Sequence, residues 1–146
     1  MTLGSEAMVL RFLLDTGIVS EPIAKQPSRK VIRRLDQHGL HCAIAAPVWH
    51  ELVYGCDRLP AGKRKIALEE YLHMVIRASF PILPYEEAAA AWHGRERARL
   101  DKLGRPLPYV DGQIAAIARQ NDLTLVTANP KHFTDFEGLD VVDWTR

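Results

Sequence analysis

The stretch FLLDTGIVS, residues 12–20, ends a run of aliphatic side chains on a carboxylate and follows it at once with small residues. Residues 9–14 are continuously apolar apart from Arg11, which suits a strand buried on both faces of a parallel sheet. A carboxylate placed directly after such a strand is costly to bury without partners, so Asp15 demands a physical explanation. Two chemistries begin this way. An aspartic protease carries its catalytic residue in an Asp-Thr-Gly loop, and a parallel-sheet metal enzyme delivers an Asp at the carboxyl end of its first strand.

The elements on either side of this stretch weigh against the protease. Ser28 is placed to cap a helix through Val31, Ile32 and Leu35, with Gly39 to end it. Residues 40–46 read as a second strand. Pro47 then suits an early helical position ahead of an apolar stripe at Val48, Trp49, Leu52, Val53 and Cys56. Residues 63–77 read as a helix with Leu68, Leu72 and Val75 on one side, and SFPILPY holds a short strand bounded by Pro81 and Pro84. A long alanine-rich helix over 86–103 is closed by Gly104. Asp111 is expected to open a helix with Ile114, Ala115, Ile117 and Ala118 at helical intervals. LTLVTAN, residues 123–129, is the clearest strand, and 141–144 offers a last short one. Strands alternating with helices predict a three-layer α/β/α sandwich with a mainly parallel central sheet. Aspartic proteases are almost wholly β and build their site from two Asp-Thr/Ser-Gly loops, or one from each subunit of a dimer, whereas this chain has a single such loop and more than half of its length reads as helix.

With 146 residues, 47% of them hydrophobic and 25% charged, the chain is expected to form a single domain over residues 1–146 with a sizeable core. The segment ahead of Met8 is expected to be a flexible leader, residues 1–8. A formal net charge of +1 gives no bulk forecast of nucleic-acid binding, although basic clusters occur at 29–34, 63–65 and 95–105. Cys42 and Cys56 are too few for a disulfide framework and read as reduced core residues. No secretory signal or membrane-length apolar segment is found, so cytoplasmic residence is the expectation.

In open parallel sheets, ligands bind outside the carboxyl ends of the strands. Asp15 follows the first strand, Glu51 lies one turn into the helix after the second, Asp111 stands at a helix start, and Asn129 follows the late strand. Three acids and an amide are thus expected on one rim. Like charges held close together raise each other's pKa unless a cation neutralises them. Oxygen donors without thiolate or paired imidazole favour Mg²⁺ or Mn²⁺, a metal chemistry suited to phosphodiester hydrolysis. Taken singly, Asp111 also reads as a helix cap, Glu51 as a solvent-facing residue and Asn129 as a turn residue. Thr16 and Thr127 read as hydroxyls that hold backbone or carboxylate geometry.

These residues resemble the PIN-domain ribonucleases, and in particular the VapC-type toxins of bacterial toxin–antitoxin pairs. The resemblance is carried by FLLDTGIVS, APVWHELVYG, GRPLPYVDGQIAAIARQNDLTLVTANPKHF and GLDVVDW, and spans residues 9–144. It implies a Mg²⁺- or Mn²⁺-dependent endoribonuclease with metal ligands at Asp15, Glu51 and Asp111 and a fourth catalytic position at Asn129. It also implies a homodimer and a cognate VapB-like antitoxin, with DNA reached only through that antitoxin. Two positions depart from the family's pattern: Gly17 stands where Asn is usual, and His132 where an acidic residue is common at or near that place. His132 is open to a role in touching phosphate or orienting water, or to that of a surface turn residue. Arg95, Arg97, Arg99 and Arg105 are candidates for steering the RNA backbone, and equally suit an exposed helix face. The alternative function is a noncatalytic RNA- or protein-binding module whose metal site has degraded.

Overall fold

Leu13 and Leu14 are fully buried in β1 (Phe12–Leu14), a strand with neighbours on both sides. The computed structural model describes residues 9–146; the leader expected at 1–8 lies outside the described residues. After β1 come α1 (Thr16–Val19), α2 (Arg29–His38), β2 (Cys42–Ala45), α3 (Ala46–Asp57) and α4 (Lys63–Glu70). A π-helical segment at Tyr71–Ile76 carries α4 into α5 (Arg77–Ser79), and β3 (Ile82–Leu83) follows. The chain continues with α6 (Glu87–Lys102), α7 (Tyr109–Gln120), β4 (Thr124–Val126) and β5 (Val141–Val142).

The sheet runs β3-β2-β1-β4-β5 with every pairing parallel. Phe12, Leu13 and Leu14 register with Cys42, Ala43 and Ile44 on one side and with Thr124, Leu125 and Val126 on the other. The strand order reverses between β1 and β4, and such a switch point leaves a crevice at the carboxyl ends of the strands. Helices on the sheet complete the three-layer α/β/α sandwich expected from the alternation of elements. A parallel sheet of this kind excludes the protease reading of Asp-Thr-Gly.

Local chemistry sets the helix limits. Ser28 Oγ accepts the Val31 N–H at 3.3 Å, which starts α2. Gly39 adopts right-handed geometry and leads into a 3₁₀ turn, Gly39–His41, so α2 ends without a left-handed residue. Gly104 does take that role after α6: at φ 70°, it lets the Arg105 N–H reach Leu100 O and its own N–H reach Asp101 O. Cys42 and Cys56 are buried free thiols, and burial pushes the Cys42 thiol up to about 12.

The strands expected over 40–46 and 123–129 are shorter, at Cys42–Ala45 and Thr124–Val126, and one helix start and one inward-facing position also differ. The helix expected to open at Asp111 begins at Tyr109, because Pro108 supplies the extended residue before it; Asp111 is the third helical residue. Val75, expected on the inner side of its helix, is exposed, and Ile76 is fully buried instead. The wider π turn lets the inward positions fall four apart, at half-buried Leu68 and buried Leu72 and Ile76, instead of slipping back to Val75.

Candidate active site

Asp15 sits where β1 ends, in extended geometry that makes it the N-cap of α1. Its backbone N–H still belongs to the sheet, donating to Val126 O at 2.9 Å. Its side chain is fixed from two directions. Thr16 N–H donates to Oδ1 at 2.9 Å, and Thr127 Oγ1 donates to Oδ2 at 2.9 Å. Thr127 is fully buried just beyond β4, and its hydroxyl oxygen in turn accepts the Asn129 N–H at 3.0 Å. The Asp15–Thr127 bond therefore crosses the switch crevice, where it joins the ends of β1 and β4. Thr16 acts here through its backbone, while Asn129 is exposed and held by its N–H.

Asp111 approaches from α7. It lies in the first helical turn, where the helix dipole favours a negative charge. Burial nevertheless pushes its carboxyl above the usual range, and the negative charge of Asp15 adds to that rise. His132 opposes both, with Nδ1 3.4 Å from Asp111 Oδ2. The charge of Asp15 thus reaches Asp111, and the histidine approaches Asp111 from the 3₁₀ turn Pro130–His132.

Glu51 is exposed on α3 and lines a cleft of about 290 Å³ together with Pro47, His50, Tyr85, Val110 and Gln113. Val110 and Gln113 flank Asp111, so this cleft opens beside the first turn of α7. Among the described residues, no group of three or more His, Cys, Asp or Glu side chains is gathered closely enough to hold a metal ion. Asp15 thus stands at the end of β1, Asp111 in the first turn of α7 against His132, and Glu51 on the wall of the cleft beside that turn. Asp15, Asp111 and, in the neighbouring cleft, Glu51 offer only carboxylate oxygens, the donor chemistry that suits a hard divalent cation.

The arginines of α6 separate by environment. Arg99 donates from Nε and a terminal nitrogen to Glu96 at 2.8 and 2.9 Å and also donates to Asp135 O at 2.7 Å. Its guanidinium is committed to that network, and Arg105 lies 3.8 Å from the Asp135 carboxylate. Arg97 stands 5.2 Å over the Tyr109 ring, while Arg95 is exposed. Tyr85, Gln113 and His50 join the cleft although periodicity does not single them out. Tyr85 lies just past the end of β3, so the same strand-end rule that selects Asp15 reaches it.

The model of the PIN domain matches residues 12–139. Toxin FitB of Neisseria gonorrhoeae is 36% identical over 124 residues, covering 83% of this chain and 89% of the relative. The tRNA(fMet)-specific endonuclease VapC of Shigella flexneri is 34% identical over 137 residues, covering 94% of this chain and 100% of that protein. Among solved structures, FitAcB from Neisseria gonorrhoeae has a TM-score of 0.83 at 33% identity, covering 91% of this chain and 97% of that one. DNA-bound VapBC from Salmonella typhimurium has a TM-score of 0.79 at 29% identity, with 93% and 99% covered. Sequence match, strand order and the carboxylates at the switch crevice agree: this chain belongs to the PIN-domain family.

Proposed function

We propose that this chain is a Mg²⁺- or Mn²⁺-dependent endoribonuclease that serves as the toxin of a toxin–antitoxin pair. The observation that carries the reading is Asp15 held at the β1–β4 switch crevice by hydrogen bonds from the Thr16 N–H and the Thr127 hydroxyl. Relatives named as a toxin and as VapC ribonucleases, and similar structures of VapBC and FitAB bound to DNA, support it. Residues 1–146 constitute one PIN-like domain in this reading.

Asp15, Glu51 and Asp111 hold the metal, and Asn129 completes the catalytic group. When bound, the ion lowers the pKa of an attacking water and offsets charge on the phosphate. Thr16 and Thr127 each occupy a lone pair of the Asp15 carboxylate, which leaves its remaining oxygen valence directed by the fold and not by side-chain rotation. His132, exposed on one side and against Asp111 on the other, touches the phosphate or orients water. Arg95 and Arg97 attract the RNA backbone, whereas Arg99 serves the fold through Glu96. A VapB-like antitoxin binds the toxin, DNA is reached through that antitoxin, and the active form is a cytoplasmic homodimer. No helix among the described residues is long and apolar enough to cross a membrane.

The test is cleavage of a small-RNA pool by purified, antitoxin-free protein in Mg²⁺ or Mn²⁺, with an EDTA lane and an Asp15→Ala control. Cuts that vanish in EDTA and in the variant support the proposal. Cuts that survive in Asp15→Ala overturn the site, and no cleavage by folded wild type with either metal favours the noncatalytic binding module.

A further inference from the structure

His93 is 4% exposed in the middle of α6, a helix whose other polar side chains mostly face solvent. Its ring is gripped on three sides. Tyr85 Oη shares a hydrogen bond with Nδ1 at 3.1 Å. The Tyr109 ring meets it in a T-shaped contact at a centroid distance of 5.0 Å. On the third side lies Gly112, where an added Cβ would overlap the imidazole, with Nε2 nearest. Burial, and then the charge of Arg97, push the imidazole pKa down, which suits a ring packed as a neutral aromatic.

Two of the three contacts come from the first turn of α7, on either side of Asp111. The third comes from Tyr85, a wall of the cleft that Glu51 lines. Glycine weakens a helix interior, so Gly112 stands against local helix propensity. The close approach of the His93 ring explains it: only a residue without Cβ lets α7 settle this near α6. We infer that His93 is a positioning residue, seated against Gly112 and Tyr109 and tied to Tyr85, that fixes the Asp111 turn relative to the Glu51 cleft.

The inference rests on the proposed role of Asp111, but its geometry is testable apart from that role. Removing the ring in His93→Ala, or displacing it in Gly112→Ala, lets the first turn of α7 shift. Because His93 acts on Asp111 through the helix backbone, the expected loss of Mn²⁺ affinity is about tenfold, the lower end for outer groups that orient a ligand. In the double variant His93→Ala/Gly112→Ala, the new methyl has room, so affinity recovers relative to Gly112→Ala alone.

The experiment is Mn²⁺ titration calorimetry on wild type and these variants, with circular dichroism to confirm folding and amide exchange over residues 112–115 in metal-free protein. Weakened binding, faster exchange and recovery in the double variant support the inference. Folded His93→Ala with wild-type affinity and wild-type exchange overturns it. If His93→Ala does not fold, Tyr85→Phe removes only the shared hydrogen bond; a smaller loss in the same direction supports the inference and no change overturns it. Should wild type bind Mn²⁺ no better than Asp111→Ala, the proposed metal site fails, while amide exchange alone still decides whether His93 positions the turn.

Discussion

Thr127 donates its hydroxyl to Asp15 Oδ2 at 2.9 Å across the seam between β1 and β4. Two residues 112 apart in sequence are thereby fixed at one crevice. Thr127→Val keeps the shape and removes the donor. A hydrogen bond to a carboxylate is strong, but Asp15 is only partly buried, so the expected stability loss is roughly 1–2 kcal/mol. RNA cleavage falls as well, and Thr127→Ser restores most of both. Paired urea melts and cleavage rates check this; a fully active Thr127→Val would show that the bond does not orient Asp15.

Gly17 follows that carboxylate by two residues, with nothing within 4 Å of where a Cβ would be. Its backbone is not in the left-handed region, so a side chain enters open space. Gly17→Asn is expected to change stability by no more than about 0.5 kcal/mol and to hold or raise activity. A large drop in cleavage by a folded variant would contradict the view that glycine merely replaces a useful amide here.

The strand-end rule leads from sequence to Asp15, which follows a short, strongly apolar strand; it points to Asn129 after the late strand, whereas β4 ends at Val126 and the residue that binds Asp15 is Thr127. It places Asp111 less well, since Pro108 starts α7 two residues before Asp111 and nothing in the apolar spacing marks that choice. His93 is hidden for another reason: its burial depends on Gly112 and Tyr109, which approach from a different helix. The same holds for Arg99. Its run of basic neighbours resembles an RNA-binding face, but a carbonyl 36 residues away and the Glu96 carboxylate occupy the guanidinium.

Glu96 provides the clearest dependence on pH. Hydrogen bonding from Arg99, aided by the Glu137 N–H, holds its carboxyl below the usual range against the opposing effect of burial. A carboxyl with a depressed folded-state pKa adds stability that is fully present above its unfolded value and lost as pH falls through the lower folded value. Denaturant unfolding of wild type and Glu96→Gln is therefore expected to show a gap at neutral pH that narrows as pH falls below the carboxyl's ordinary value of 4.5. A gap that widens on acidification would mean that Glu96 does not stabilise the fold as a carboxylate.

The π segment makes a separate prediction. Ile76 is fully buried and Val75 is 44% exposed. Ile76→Ala is expected to cost about 2–5 kcal/mol, as for a large-to-small change in a core, whereas Val75→Ala costs far less. Urea midpoints for the two variants measure the difference. Equal losses would restore the ordinary helical spacing in which Val75 faces inward.

The most direct measurement is calorimetric titration of Mn²⁺ into wild type, Asp15→Ala and Asp111→Asn, each confirmed as folded. If the two aspartates at the switch crevice are metal ligands, wild type binds and both variants lose most of that affinity. Equal binding by all three, or none by wild type, would contradict a metal-dependent nuclease site at Asp15 and Asp111.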